Sequence, residues 1–412
     1  MHRSRRRLLA AACGAATLGG CSITLEHGLF NPCRPELPAD LARDGAVLAA
    51  WDGIDASLVW DSHVHLVGGG GSSSGIWVNP AMSSVLRPLL YAQSMFYRNA
   101  GCPNPNPGPL DDRFVERLLH LLEGMRPRVK AILLAMDWHR TEDGEPSPAA
   151  TTLHVPNEYA MATAARHRRY FEWAASIHPY RRDCIAALRA AKAGGARAIK
   201  WLPATMGMDP GSARCDAFYA ELGRLGLPLI THAGMESAVR LRARQQLGNP
   251  LRLRRPLEHG VRVVVAHCAT LGEDRDLDRG EHGPYVPSFA LFARLMDDAR
   301  YGANLYGDLS AVAQMNRANP FLVSLLERKD WHARLLNGSD YPLPGVMPIY
   351  SMSQLIQLGV IEPALAPVLA EVREYNPLLF DFMLKRHLRA GRAQFPKGVF
   401  ETRPFFQASG DA

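Results

Sequence analysis

The sequence lacks the features that define several classes of protein. Its 412 residues contain no run of about 20 apolar residues, which excludes a bundle of membrane-spanning helices. Charged residues make up 21% and hydrophobic residues 47%, a balance too apolar for a chain that is mostly disordered. The length exceeds that of most sandwiches and helical bundles but suits an α/β barrel with insertions. One large α/β domain is therefore the first expectation.

Cysteine is also scarce, with seven residues in the chain. Cys13 and Cys21 fall in the first 21 residues, which have the pattern of an export signal, so five remain for the folded part. An odd number argues against a full framework of disulfides, although one bridge is compatible with an oxidising compartment. Cys33 and Cys102 lie in proline-rich irregular segments, and we expect these two to pair.

Residues 1–21 have the composition of a bacterial secretion signal. Four arginines among the first seven residues precede a short apolar run, Leu8–Leu18, which is too short for a stable membrane anchor. Leu18-Gly19-Gly20-Cys21 resembles a lipobox, in which Cys21 would be lipidated and become the mature N-terminus. Ser4-Arg5-Arg6-Arg7-Leu8-Leu9 resembles a twin-arginine export signal, and the Sec route remains the alternative. We expect a lipoprotein at the periplasmic face of a bacterial membrane, or one released to the periplasm.

The net charge of +7 becomes smaller once this signal is removed. The first 20 residues carry four arginines and no acid, so the mature chain is close to +3. Such a balance gives little support to a nucleic-acid partner. We therefore expect no nucleic-acid binding, contact with a membrane only through the N-terminal lipid, and a small molecule as the principal partner.

Short β-branched or apolar runs alternate with helical stretches rich in alanine, leucine and arginine. This alternation predicts parallel strands joined by helices and closed as an α/β (β/α)8 TIM barrel. A doubly wound open sheet is the competing architecture, but no Gly-x-Gly-x-x-Gly motif follows an early strand. The candidate strands are 58–65, 131–137, 171–179, 196–203, 227–234, 262–269, 304–311 and 334–342.

The domain boundaries follow from this alternation. After the signal we expect a tether and lead-in over residues 22–57, the barrel over 58–390 and a C-terminal tail over 391–412. A long insertion, residues 66–125, follows the first strand and opens with a run of glycine and serine. It would emerge at the mouth of the barrel, where it either covers the mouth or forms a solvated loop.

The first candidate strand carries two histidines on one face. In Asp61-Ser62-His63-Val64-His65 the side chains alternate, so His63 and His65 face inward while Ser62 and Val64 face the other side. Two inward imidazoles at this spacing can reach one metal ion. Short histidine pairs are common by chance, so this motif alone is weak.

Three further strand ends strengthen the prediction. His232, His267 and Asp340 each end a candidate strand. The 35 positions from His232 to His267 match one strand–helix unit, and the 73 positions from His267 to Asp340 match two. The ligand-type residues thus recur at the carboxyl ends of strands 1, 5, 6 and 8, where a barrel places its active site.

These motifs resemble the amidohydrolase superfamily, specifically the amidohydrolase-related branch of metal-dependent barrel hydrolases. The resemblance covers roughly residues 58–385. The segments that carry it are Asp61-Ser-His-Val-His65, Thr231-His232, Ala266-His267, Gly338-Ser-Asp-Tyr-Pro342 and Tyr375-Asn-Pro-Leu-Leu-Phe380.

The resemblance implies a metal centre and assigns its ligands. His63, His65 and Asp340 would bind one metal, and His232 and His267 would serve a second metal or the substrate. One or two divalent ions are expected as cofactors, with Zn²⁺ the leading candidate. Asp340, His267 and His232 are the expected catalytic residues.

Lys200 ends the fourth candidate strand and faces inward with Ala198. In binuclear members of the superfamily a lysine here is N-carboxylated (carbamylated) and bridges two metals. A native ammonium group would repel the metals, so Lys200 is either carboxylated or placed to pair with a substrate carboxylate. A structural lysine paired with an aspartate is the third alternative.

A mechanism follows from these expectations. A bound divalent ion lowers the pKa of water toward about 7 and so supplies hydroxide at neutral pH. Asp340 would accept the proton of that water and pass it to the leaving group. His232 and His267, or the metal, would polarise the oxygen of the bond that is cleaved.

We expect the substrate to contact residues at the remaining strand ends: His178, Trp201, Asp308 and Tyr341. The leading function is metal-dependent hydrolysis of an amide, ester or lactone bond in a small molecule. A non-oxidative decarboxylase on the same barrel is the nearest alternative, and a non-catalytic surface lipoprotein is a remote one. The sequence leaves a homo-oligomer open.

Overall fold

The computed structural model describes residues 28–70, 73–103, 108–126, 128–239, 241 and 243–407. The predicted export signal over residues 1–21, including Cys21, lies outside these residues. Within the described part, no helix combines the length and the apolar character needed to cross a membrane.

Eight parallel strands form a closed ring at the centre of the fold. Hydrogen-bonded ladders join the first three strands to one another in chain order, and join the last five in the same way. Parallel bridges at Ala175–Ile199 and Val64–Tyr341 connect the two sheets at both edges, so the ring closes. The predicted α/β TIM barrel is confirmed. Strands β1 to β8 are Trp60–His65, Lys130–Leu134, Phe171–Ala174, Ile199–Trp201, Leu229–His232, Val263–Ala266, Leu305–Asp308 and Leu335–Leu336.

Helices surround this ring, and local sequence explains several of their ends. Helix α13 (Pro377–His387) starts with Pro377, and the side chain of Asn376 accepts a hydrogen bond from Leu379 N. Helix α7 (Asp216–Leu225) is followed by Gly226, which has a left-handed φ of 64°. In the described residues α1 to α14 are Gly45–Ala49, Pro88–Ala100, Leu110–Glu123, Asn157–Arg166, Cys184–Ala193, Pro203–Met206, Asp216–Leu225, Arg254–Glu258, Ser288–Asp297, Pro320–Glu327, Met352–Gln357, Ala366–Tyr375, Pro377–His387 and Arg403–Gln407.

The segment predicted as an insertion, residues 66–125, contains a short strand and two helices. Trp77–Val78 pairs antiparallel with Leu153–His154, which lies between β2 and β3. Helices α2 and α3 follow. The side chain of Gln93 on α2 donates hydrogen bonds to Ser237 O and Ala238 O, at 3.2 and 2.9 Å. The segment after β1 therefore contacts the segment after β5 above the carboxyl ends of the strands.

Through its middle and towards the amino ends of its strands, the interior of the barrel is apolar. There the inward side chains of six strands form an interior cluster that also contains Phe406 of helix α14. Because parallel strands covered on both faces are buried throughout, β6 is a continuous run of valine and alanine. The interior cluster is Trp60, Ile132, Leu134, Ala174, Ala198, Ile230, Val264, Leu336 and Phe406.

The described parts of the lead-in and of the segment predicted as a tail pack against the barrel. In the lead-in, Val47 and Trp51 are buried in the core between strands and helices. In the segment predicted as a tail, Phe400 and Phe406 are buried, and Thr402 Oγ1 donates a hydrogen bond to Trp60 O. Both segments carry enough aromatic surface to gain from burial, so they behave as parts of the domain.

The predicted pairing of Cys33 with Cys102 is confirmed by a disulfide bond between them. The bond joins the lead-in to the segment that follows α2. Cys184, Cys215 and Cys268 are free thiols, and the last two are buried.

Candidate metal centre

The five predicted ligands meet at the carboxyl end of the barrel. His63 and His65 lie on β1, His232 ends β5, His267 follows β6 and Asp340 follows β8. All are buried except His65, whose side chain is 19% exposed. The strand alternation that predicts a shared inward face for His63 and His65 is observed.

The distances between these side chains define a compact group around Asp340. Its Oδ1 lies 3.1 Å from His65 Nε2 and 3.5 Å from His63 Nε2, and its Oδ2 lies 3.8 Å from His267 Nε2. The ligand atoms of His63, His267 and Asp340 all lie within 4.8 Å of one another, so they could hold one metal ion. The resemblance assigned His267 to a second metal or the substrate, whereas the geometry groups it with His63 and Asp340.

His232 stands beside this group with a different partner. Its ring centroid is 5.3 Å from that of His267, and its Nε2 is 3.4 Å from Glu236 Oε2. Glu236 Oε1 accepts backbone hydrogen bonds from Ala238 and Val239, at 2.6 and 3.1 Å. This buried carboxylate, four residues after His232, was not among the predicted site residues.

Two backbone turns present the ligands, and both adopt left-handed conformations that are costly outside glycine. His267, Cys268 and Ala269 have φ values of 56°, 49° and 50°, and Asp340 has 62°. Hydrogen bonds hold both turns: His267 N donates to Asp308 Oδ1 at 3.0 Å, and Asp340 N donates to His63 O at 2.8 Å. Such compensated strain is typical of functional sites.

The hydrogen bonds of the rings set their tautomers. His63 Nδ1 donates to Asp308 Oδ2 at 2.9 Å, and His267 Nδ1 donates to Ser310 O at 3.0 Å. Because each Nδ1 carries the proton, each Nε2 is left with a lone pair that points toward Asp340. Orientation of a ligating histidine by a carboxylate or carbonyl is the usual arrangement in metal sites.

The electrostatics agree with ligation. Burial lowers the pKa of His63, lowers that of His232 to about 4 and holds that of His267 well below its usual value, so these rings are neutral. Asp340 interacts electrostatically with the Arg317 guanidinium, which favours the ionised form of the carboxyl group. Neutral imidazoles and an ionised carboxylate are the donors that divalent transition metals prefer. The residues therefore fit a divalent metal ion.

Lys200 is in the same cavity, as its position on β4 predicts. It is 1% exposed, and its Nζ lies 3.0 Å from His63 Nε2. Burial lowers its pKa below the usual value for lysine.

The four predicted substrate contacts do not line the cavity that contains the ligands. Trp201 packs outward against Phe218, because it follows the inward Lys200 by one position. The Tyr341 hydroxyl donates to Gly101 O at 3.1 Å, and the side chain is fully buried. Neither side chain lines the cavity in this structure.

His178 and Asp308 also lie behind the cavity wall. His178 is fully buried, and its Nε2 donates to Met206 O at 3.1 Å. Asp308 is fully buried beneath the ligands, where it orients His63 and receives the backbone N–H of His267. Inward alternation is correct for Asp308, but its depth makes it a positioning residue for the ligands.

The cavity has a polar floor and a largely apolar wall, and it encloses about 90 Å³. Pockets for drug-sized ligands are usually about 300–1,000 Å³, so the enclosed part suits a small group. The apolar lining includes Val67, Tyr97, Met136, Leu153, Leu202 and Val239.

Three polar residues that line this cavity were missed by sequence reasoning, because they lie in loops with no periodic pattern: Glu236, Gln314 and Arg317.

Fold and site together define a class, a TIM barrel with a metal-binding group at the carboxyl ends of its strands. A family model described as Amidohydrolase matches residues 61–374. The chain belongs to this amidohydrolase family and is an enzyme of the amidohydrolase superfamily.

The similar solved structures are distant in sequence. An uncharacterised TIM-barrel protein from Bordetella bronchiseptica is 16% identical, with 76% of this chain and 96% of that one covered and a TM-score of 0.47. A manganese-bound 5-carboxyvanillate decarboxylase from Novosphingobium aromaticivorans is 11% identical, with 85% and 97% covered and a TM-score of 0.43. A 4-oxalomesaconate hydratase from Rhodopseudomonas palustris is 14% identical, with 84% and 94% covered and a TM-score of 0.41. No curated protein matches the chain.

Proposed function

We propose that the protein is a metal-dependent hydrolase that cleaves an amide, ester or lactone bond in a small molecule. The observation that carries the proposal is the convergence of three histidine Nε2 atoms on Asp340 in a buried cavity. A divalent cation bound there, with Zn²⁺ as the leading candidate, would acidify a water molecule and polarise the oxygen of the scissile bond.

The protein's own residues would bind, orient and move protons. Asp340 is the one carboxylate within 4 Å of three described imidazoles, so it is placed to accept the proton of the attacking water. It would then return that proton to the leaving group. His232 lines the same cavity and would orient the substrate oxygen, because Glu236 holds its ring.

We propose that Lys200 is N-carboxylated in the active enzyme. Its amine lies in the cavity beside His63 Nε2, and burial favours the neutral form that reacts with CO₂. A carboxylated Lys200 would add an anionic ligand that two ions can share. Purified protein supplied with bicarbonate should then bind two ions, and Lys200→Ala should bind one. Equal metal content in both proteins would contradict the bridging role.

The experiment that tests the function is a substrate panel assayed with metal-loaded protein. The panel contains esters, lactones and N-acyl compounds of small acids, and products are measured by mass spectrometry. Hydrolysis adds one water to the substrate and loses no carbon. Stoichiometric metal with no hydrolysis of any panel class would argue against the proposal.

Non-oxidative decarboxylation is the second candidate, and the buried Lys200 is the observation that favours it. An ammonium group there would pair with a substrate carboxylate next to the metal ligands. Aromatic and unsaturated carboxylic acids in the same panel separate the two reactions, because decarboxylation releases CO₂ and replaces the carboxylate by hydrogen.

We also propose that the chain is exported and anchored through a lipid on Cys21. The support is the arginine-rich start and the Leu18-Gly19-Gly20-Cys21 motif. Expressed in a bacterium, the protein should label with a fatty-acid analogue and partition with membranes, and Cys21→Ser should abolish the labelling. Unchanged labelling in that variant would contradict the assignment.

A further inference from the structure

Two polar side chains on the cavity wall are buried without the partners that their donors usually have. Arg317 and Gln314 follow β7, line the cavity and are each 4% exposed. Within the described part of the chain, the Arg317 guanidinium donates a single hydrogen bond, from Nη1 to Thr270 Oγ1 at 3.4 Å. Gln314 Nε2 is buried and makes no hydrogen bond within 3.5 Å in the same described residues, and the Tyr350 hydroxyl is the polar group that lies near it.

Such donors are expensive to bury, because they lose their hydrogen bonds to water. Natural proteins leave few of them unsatisfied, and those at a cavity wall indicate a ligand that completes them. A guanidinium presents a planar fork of N–H donors that matches two oxygens of a carboxylate, and a side-chain amide adds another donor. The chemistry of Arg317 and Gln314 therefore matches an anionic oxygen group.

The net charge around the cavity also favours an anionic substrate. Asp308, Asp340 and Glu236 are three buried carboxylates, set against the cations Lys200 and Arg317. With one divalent ion bound and Lys200 present as its ammonium, these groups leave one positive charge in excess. The same excess results from two ions with a carboxylated Lys200. A substrate anion would neutralise it, whereas a neutral substrate would leave it buried.

Arg317 cannot itself ligate a metal, because a guanidinium stays protonated and has no lone pair to offer. It lies close enough to interact electrostatically with Asp340, Glu236 and Asp308. It is therefore placed at the edge of the metal group, within reach of a substrate that also contacts Asp340.

We propose that Arg317 and Gln314 bind a carboxylate of the substrate, one that is separate from the bond being cleaved. The inference rests on the proposed function and deepens it: the substrate is a small carboxylic acid that also carries the ester, amide or lactone. Arg317 takes two carboxylate oxygens, and Gln314 Nε2 donates to one of them. The apolar lining then contacts the carbon chain between the two groups.

The test is calorimetric titration of Zn²⁺-loaded protein with glutarate and with pentanoate, which have equal numbers of carbon atoms. One carboxylate of either compound can contact the metal, but only glutarate offers a second one. Because charge-assisted hydrogen bonds contribute more than neutral ones, glutarate should bind roughly tenfold more tightly or better. Arg317→Met should reduce this advantage to about twofold or less, and Gln314→Leu should reduce it in part. The matched control Arg279→Met, at an exposed arginine, should keep the full advantage.

Equal binding of glutarate and pentanoate by the wild type would overturn the inference, as would an undiminished advantage in Arg317→Met. Melting temperatures check that each variant folds. If Arg317→Met does not fold, Arg317→Lys keeps the charge but loses the fork, and a full advantage in that variant contradicts the inference. Metal-free protein separates this test from the proposed function. There Arg317 is the main contact for pentanoate, so loss of pentanoate binding in the variant supports the inference even if no hydrolysis is found.

Discussion

The two ends of the barrel interior are built on the same strands but differ in chemistry. Ala198, immediately before β4, belongs to the interior cluster, and two positions later Lys200 lies beside a metal ligand. On β5, Ile230 and His232 show the same change over the same spacing. The amino end is closed by Phe406, whereas the carboxyl end opens into the cavity. Two positions along a strand therefore separate the packed core from the candidate site.

This comparison shows how the fold divides stability from chemistry. Apolar burial at the amino end contributes favourably to folding, at about 25 cal/mol per Å². Burial of ionisable groups at the carboxyl end is unfavourable unless hydrogen bonds, ion pairs or a metal offset it. Substitutions at the amino end should thus affect stability, and those at the carboxyl end should affect activity and metal binding.

The largest expected effect is on turnover. Asp340→Asn removes the proton acceptor and one metal contact, so turnover of the metal-loaded enzyme should fall about 10²–10⁴-fold. The melting temperature should change little, since the variant removes a buried charge without creating a cavity. Steady-state kinetics and thermal unfolding measure the two effects, with the exposed Asp330→Asn as the control. Near-wild-type turnover would remove Asp340 from the catalytic group.

The amino end should respond in the opposite way. Phe406→Ala opens a cavity in the interior cluster, so the free energy of unfolding should fall by about 3–5 kcal/mol. Activity per folded molecule should remain unchanged. Val85→Ala is the control because Val85 is 75% exposed, and it should cost no more than about 0.5 kcal/mol. A loss of turnover in folded Phe406→Ala would show that the two ends are coupled.

Asp308→Asn tests the layer beneath the ligands. The carboxylate orients His63 and receives the backbone of His267, so metal affinity should fall about 10–100-fold. Competition with a chelator measures this change. Turnover at saturating metal should recover far better than in Asp340→Asn. Unchanged affinity would mean that the ligand rings hold their orientation without Asp308.

The smallest expected effect is on the pH dependence of stability, and it comes from His178, a buried histidine outside the ligand group. Burial lowers the pKa of His178 to about 3 in the folded state, while the unfolded value is about 6.5. The contribution is therefore fully present above pH 6.5 and is lost as the pH falls below it. At pH 5 the unfolding free energy should be about 2 kcal/mol lower on account of His178 alone.

Denaturant unfolding of the wild type and His178→Gln at pH 7 and 5 isolates this contribution. The variant should lose less stability between the two pH values than the wild type. His282→Gln, at an exposed histidine, should follow the wild type. Parallel curves for His178→Gln and the wild type would exclude His178 as a source of acid sensitivity.

Much of the barrel could be predicted because its signals are local. Strand alternation assigns His63 and His65 to one face, and regular strand–helix spacing brings His232, His267 and Asp340 to one end of the ring. The same rule already implies that Trp201 faces outward, since it follows an inward Lys200. Trp201 was predicted to contact the substrate because it follows Lys200 in sequence, whereas the alternation of side chains along a strand sets the direction in which each one faces.

The missed residues have no comparable local signal. Arg317 and Gln314 lie in an irregular loop, and their burial depends on packing against segments distant in sequence. Asp308 was correctly assigned to the inward face, but alternation does not report how deep a side chain lies along the barrel axis. Phe406 was assigned to a tail because one short aromatic helix near a terminus has no partner until the barrel is assembled.

The disulfide between Cys33 and Cys102 makes the structure beside the cavity depend on the redox state of the compartment. It joins residues 69 positions apart and holds the lead-in against the end of α2, the helix whose Tyr97 lines the cavity. Cytosolic reductants keep most such bonds open. A copy retained in the cytosol would therefore have the same ligands, but helix α2 beside the cavity would be held less tightly. In an oxidising compartment, this one covalent bond would hold the lead-in and helix α2 together beside the cavity.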